Sequence, residues 1–204
     1  LQKSKGMRTA IRRVDRDKAR VDFVKRYSEL YGMYTETEVV YPDDRAFDLP
    51  ASGTNGFTDD GTSTFEDDIN ALRAAGITLG CAPGKYCPKA EVTREQMAGF
   101  LVRALDLPTT TTDYFTDDGT STFEDEINAL RAAGVTTGCA PGKFCPKSFV
   151  TREQMAVFLL KSKHDTAYLP PACAGPFDDV VCPGQFTDWI EELAEQGITS
   201  GCQV

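Results

Sequence analysis

Histidine is almost missing from this chain: His164 is the single one among 204 residues, and it lies in a polar stretch. That is poor material for a Ser–His–Asp set or a His-bearing zinc site, and no phosphate-binding glycine loop is present. Long hydrophobic runs are missing too. No stretch approaches the roughly 18 apolar residues of a membrane-spanning helix, and mean hydropathy is −0.33. The chain starts at Leu1 without a methionine or the apolar h-region of a signal peptide, so it reads as a processed or trimmed piece of something longer. Positive charge is scarce after residue 48. Residues 1–48 carry eleven Lys/Arg against nine Asp/Glu, which leaves eleven against twenty-two for the remainder. A segment that acidic argues against a nucleic-acid partner.

What the chain does have is a repeat. "FTDDGTSTFEDDINALRAAGITLGCAPGKYCPKAEVTREQMAGFLVRA" (57–104) recurs at 115–162 with only ten of forty-eight positions changed. A third, more divergent copy runs from 177 to 204, where Phe186, Ile190, Leu193, Gly197, Gly201 and Cys202 match Phe123, Ile127, Leu130, Gly134, Gly138 and Cys139. It stops just after its first cysteine. The units divide the chain into 57–107, 115–163 and the truncated 177–204.

Each full unit reads as helix–loop–helix. Ser63 and Glu66 have the spacing of a capping box, as do Ser121 and Glu124, and Phe65, Ile69, Leu72 and Ala75 follow helical periodicity. Gly76 falls where a helix stops in the left-handed conformation. Thr93 with Gln96, and Thr151 with Gln154, form further capping boxes opening a second helix, which buries Met97, Phe100, Leu101 and Leu105. Neither helix can bury its apolar stripe alone, so the units must pack on each other. Residues 1–48 differ: ten basic and three acidic side chains fall in 1–26, and 18–32 faintly resembles a second repeat helix, with Arg20 in the place of Arg94.

Seven cysteines fall as Cys81/Cys87, Cys139/Cys145 and Cys173/Cys182, with Cys202 left over. Zinc pairs usually sit closer and need a second pair or a histidine nearby, and no CxxC is present. A local disulfide in each unit accounts for the spacing better. Closing so short a loop stabilises by about 2 kcal/mol, so its main effect is on loop shape. Cys202 matches Cys81 and Cys139, so its partner is expected in sequence beyond this piece. Three such pairs point to an oxidising compartment.

The order of these motifs, "F-x-D", an aromatic-led helix, "AL-x-x-x-GI-x-x-G" and "(Y/F)-C-P-x-x-x-V-T-R-E-Q-M-A-x-F-L", resembles the S-layer homology repeat of bacterial surface proteins, in its cysteine-bearing actinobacterial-like form. The resemblance covers about 57–204. It implies a mainly α fold, with tandem helix–loop–helix repeats packed as a pseudo-threefold helical domain, stapled here by local disulfides. It also implies a non-catalytic role: attachment of an exported protein to cell-wall polysaccharide, often a pyruvylated secondary polymer, in grooves between repeats at the bacterial surface. The family's Thr-Arg-Ala-Glu motif supplies the groove arginine and maps onto Thr93, Arg94, Thr151 and Arg152. Here the motif reads Thr-Arg-Glu-Gln, and Phe65 and Phe123 replace the family's tryptophan.

The residues support the arginine reading independently. Both arginines open a helix, where the positive end of the macrodipole disfavours a cation by roughly 0.3–1 kcal/mol but favours an anion. An arginine there makes a bidentate receptor for a carboxylate; the plainer alternative is an ion pair with Glu95 or an acid of the neighbouring unit. Carboxylates cluster around Asp59, Asp60, Glu66 and Asp67 and suggest calcium, but their spacing fails the EF-hand pattern, and a turn feeding an acid-rich helix start accounts for them. No cofactor is expected, and no enzyme, since the carboxylates lie in repeated helix starts rather than one constellation. Two rival roles remain: a subunit of an extracellular layer or filament assembling through its repeats with copies of itself, and the accessory tail of a secreted hydrolase.

Overall fold

The structure is a computed structural model that describes residues 55–164, 167–175, 177–199 and 201. The readings for residues 1–48, for Arg20 and for Cys202 lie outside them. Five α-helices follow in order: α1 (Glu66–Ala74), α2 (Arg94–Leu105), α3 (Glu124–Ala132), α4 (Arg152–Lys163) and α5 (Thr187–Glu195). Helices α1, α3 and α5 lead their units; α2 and α4 follow in the first two. No strand longer than an isolated bridge occurs among the described residues.

The front helices stop in one way. Gly76, Gly134 and Gly197 adopt φ values of 72°, 74° and 68°. The residue after each glycine, Ile77, Val135 or Ile198, then donates its N–H to the carbonyl of Leu72, Leu130 or Leu193 at 3.0–3.1 Å. This is the double closure expected of a left-handed helix end, and only glycine adopts that backbone without a Cβ penalty. The starts are less as expected. Phe65 and Phe123 are the first residues outside α1 and α3, and no side chain caps either helix. Ser63 Oγ accepts instead from the N–H of Phe65, and Ser121 Oγ from that of Phe123, each at 3.1 Å. The serines therefore shape the preceding turn. Ala75 also lies exposed past the helix end, and Ala71 is buried in its stead beside Ile69 and Leu72.

Behind α1 and α3 a cysteine loop folds back onto the "F-x-D" segment. Phe57 packs against Tyr86, and Phe115 against Phe144, with ring centroids 5.4 Å apart in both units. The Asp117 carboxylate accepts from the N–H groups of Phe144 and Cys145 at 2.8 and 3.0 Å, and Asp59 does the same for Tyr86 and Cys87. Those bonds hold both carboxyls below the usual range. The bridges Cys81–Cys87, Cys139–Cys145 and Cys173–Cys182 are formed.

Helices meet across units rather than within them. α2 packs on α3, and α4 packs on α5. One apolar core runs through these contacts, with Met97, Leu101, Ile127, Leu130, Phe144, Leu159, Leu160 and Leu193 among its buried members. Each such side chain contributes roughly 1.5–3 kcal/mol by leaving water, so the units are stable together because each supplies part of its neighbour's core.

Candidate functional site

The two Thr-Arg-Glu-Gln helix starts lie side by side. The N–H of Val150 donates to the carbonyl of Val92 at 3.0 Å, and Thr93 and Phe149 form a short antiparallel bridge. This brings the openings of α2 and α4 together, yet their surroundings differ sharply.

At α2, each residue of the motif is engaged. Thr93 accepts from the N–H of Gln96, and the Gln96 side chain accepts from the N–H of Thr93, the complete capping box expected from sequence. The next two free N–H groups, of Arg94 and Glu95, donate to the carbonyls of Ser148 and Pro146 at 2.8 and 3.1 Å. The cysteine loop of the second unit thus caps the rear helix of the first. Arg94 is only 4% exposed. Its Nε donates to the carbonyl of Phe144 at 2.8 Å and its Nη1 to Gln154 Oε1 at 3.1 Å. The guanidinium lies over the Phe144 ring at 4.8 Å and near the Phe158 ring at 5.9 Å. Nη2 is buried without a hydrogen-bond partner. Burial lowers the Arg94 pKa, while the nearby charge of Asp117 acts in the opposite direction. Glu95 does not pair with Arg94. It is buried too, and holds the second unit at two points: Lys147 Nζ at 2.6 Å and the Ser121 hydroxyl at 2.7 Å. Around α2 the motif is a clasp between units.

At α4, Thr151, Arg152 and Glu153 are exposed. Thr151 accepts from the N–H of Gln154 at 3.3 Å, so half of the expected capping box is present. The Gln154 side chain is drawn away, because its carbonyl oxygen accepts from Arg94. The Thr151 hydroxyl also donates to Glu153 Oε1 at 3.5 Å, and the Arg152 cation stands at the positive end of the helix, where an anion is favoured.

A second cluster was not foreseen. His164, in a polar stretch of the sequence, stacks on Tyr168 with ring centroids 4.0 Å apart, and its Nε2 lies 3.0 Å from Gln196 Oε1. The Tyr168 hydroxyl donates to Glu192 Oε1 at 2.6 Å, and Gln196 Nε2 also donates to that oxygen. Those two donors hold the Glu192 carboxyl below its usual range. Burial, helped by Glu192, pushes the Tyr168 hydroxyl up to about 12. A signal was present: Glu192 and Gln196, one helical turn apart, stand where the second unit has Ala129 and Ala133. Among the described residues no group of three or more His, Cys, Asp or Glu could hold a metal ion, and no helix is long and apolar enough to cross a membrane.

Comparison with known proteins agrees with this layout. The S-layer homology domain matches at residues 56–98 and 114–156, so each match runs from the "F-x-D" segment into the rear helix. An endoglucanase of Bacillus sp. (strain KSM-635) is 34% identical over 94 residues, which is 46% of this chain and 10% of that protein. The chain therefore spans about a tenth of the length of this relative. The two nearly identical units, each with its front helix, cysteine loop and Thr-Arg-Glu-Gln start, are S-layer homology repeats.

Proposed function

We propose that this chain is a non-catalytic module that anchors an exported bacterial protein to the cell surface by binding an acidic cell-wall polysaccharide. S-layer homology repeats serve cell-wall anchoring, and three disulfides suit a chain outside the reducing cytosol. In this reading Arg152 and Thr151 make the polymer contact, and Thr93 and Arg94 build the wall of the same groove from the neighbouring helix start. The observation that carries it is the exposure of Thr151 and Arg152 at the opening of α4, beside the buried Arg94. The net charge of residues 49–204, eleven basic against twenty-two acidic, repels a polyanion at a distance. Recognition is therefore short-range and helped by cations.

Sedimentation with purified cell wall tests the reading. Arg152→Ala is expected to weaken wall binding at least about tenfold, the loss of one charge-assisted contact, while the chain keeps its far-UV helix signal. Parent-like binding by Arg152→Ala and by Thr151→Ala would sink it. The clasp at α2 favours a second reading, in which such repeats dock on other copies in an extracellular layer; ordered filaments formed without polysaccharide would support that. The endoglucanase relative fits a third, in which the module is the tail of a secreted hydrolase.

A further inference from the structure

We propose that the Cys139–Cys145 disulfide is a thiol-sensitive latch, which docks the cysteine loop of the second unit on the rear helix of the first. Three carbonyls of one short segment, those of Phe144, Pro146 and Ser148, converge on Arg94 and Glu95. The segment straddles Cys145, the second cysteine of the ring. Cys145 itself has a φ of 58°, a backbone that residues other than glycine rarely adopt. The ring holds it there, together with the Asp117 carboxylate on its N–H. Once the ring opens, Cys145 relaxes towards negative φ and the carbonyls on either side turn away from α2. Phe144, fully buried beneath the Arg94 guanidinium, is then released with them.

The bond is within reach of a reductant, since Cys139 is exposed and Cys145 half-buried. A dithiol supplies the chemistry. Its thiolate attacks one sulfur and expels the other as a thiolate; its second thiol then displaces the protein from the mixed disulfide. Two electrons and two protons pass to the cysteines, and the dithiol leaves as a cyclic disulfide.

The first unit supplies an internal control. Cys81–Cys87 closes the same ring, and Cys87 has a φ of 61°. Its loop has no part in capping α2, and Tyr86 and Pro88 are half-buried where Phe144 and Pro146 are buried.

Amide hydrogen exchange at Arg94 and Glu95 in the full chain tests the latch. Cys139→Ser/Cys145→Ser is expected to speed exchange there roughly tenfold or more, while Cys81→Ser/Cys87→Ser leaves it within about twofold. Dithiothreitol on the parent chain should reproduce the first result, and reoxidation should restore protection. Unchanged exchange in the Cys139/Cys145 variant, or an equal rise in both variants, overturns the proposal. So does loss of the far-UV helix signal in the Cys139/Cys145 variant, because the bond would then hold up the unit rather than latch a joint.

Discussion

The two joints between units start from almost the same residues and are built differently. At the first, Arg103 in the last turn of α2 pairs with Glu126 of α3 at 3.5 Å and reaches the carbonyl of Ile77. At the second, Lys161 of α4 takes the place of Arg103 and Trp189 of α5 that of Glu126, with the ammonium 5.7 Å from the indole centroid. Lys161 also keeps the backward bond, to the carbonyl of Gly134. One ion pair has become a cation–π contact, and two alanines have become the Glu192–Gln196 part of the His164 cluster. Packing of helix on helix survives the exchange, since apolar burial drives it and the polar contacts at its rim tune it. Packing differs as well. A Cβ on Gly99 would come within 2.7 Å of the Phe123 ring, whereas the second unit carries Val157 at the equivalent position.

The largest break in this comparison is expected at Phe144. Phe144→Ala removes a fully buried ring and should cost about 3–5 kcal/mol in urea unfolding, whereas Tyr86→Ala, at a half-buried site, should cost clearly less. Equal losses would show that docking adds nothing to the second loop. Next comes Arg94→Ala, which strands the Phe144 carbonyl and Gln154 and should cost about 1–3 kcal/mol; Arg152→Ala, at an exposed site, should cost less. Gly99→Val, which copies the second unit into the first, should lower stability by about 1–3 kcal/mol through the clash with Phe123. A neutral result would mean that the joint between α2 and α3 has room the distances deny.

The smallest effect is set by pH. A carboxyl lowered in the folded state stabilises above its unfolded value and loses that contribution as pH falls through the folded one. For Glu192, with an ordinary value of 4.5, the loss falls below about pH 4.5 and at the second joint. Glu192→Gln should flatten the acid limb of the stability profile there. Tyr168 works on the other side. Its raised hydroxyl stabilises fully below pH 10 and loses the contribution as pH rises towards 12, so Tyr168→Phe should remove that alkaline slope.

Much of the local structure was legible. The Thr93–Gln96 capping box, the glycine stops and the three cysteine pairs depend on residues within a few positions of each other, and spacing alone exposes such contacts. The serine boxes failed because Ser63 and Ser121 satisfy a turn N–H two residues on, a local competitor with the same donor chemistry. Glu95 shows the other limit. Nothing near it in sequence announces that its carboxylate joins Lys147 and Ser121, respectively fifty-two and twenty-six residues away.

The sequence by itself determined the units: their helices, stops, staples and family. It could not separate Arg94 from Arg152, since both stand in the same string, V-T-R-E-Q-M-A. The tertiary structure did so by laying the second cysteine loop over one helix start, which turned an arginine that its place at a helix start marks as a receptor into a buried clasp, while its twin stands exposed. A short motif fixes backbone geometry through near neighbours. What its charged side chain does is decided by which distant carbonyls and rings arrive beside it.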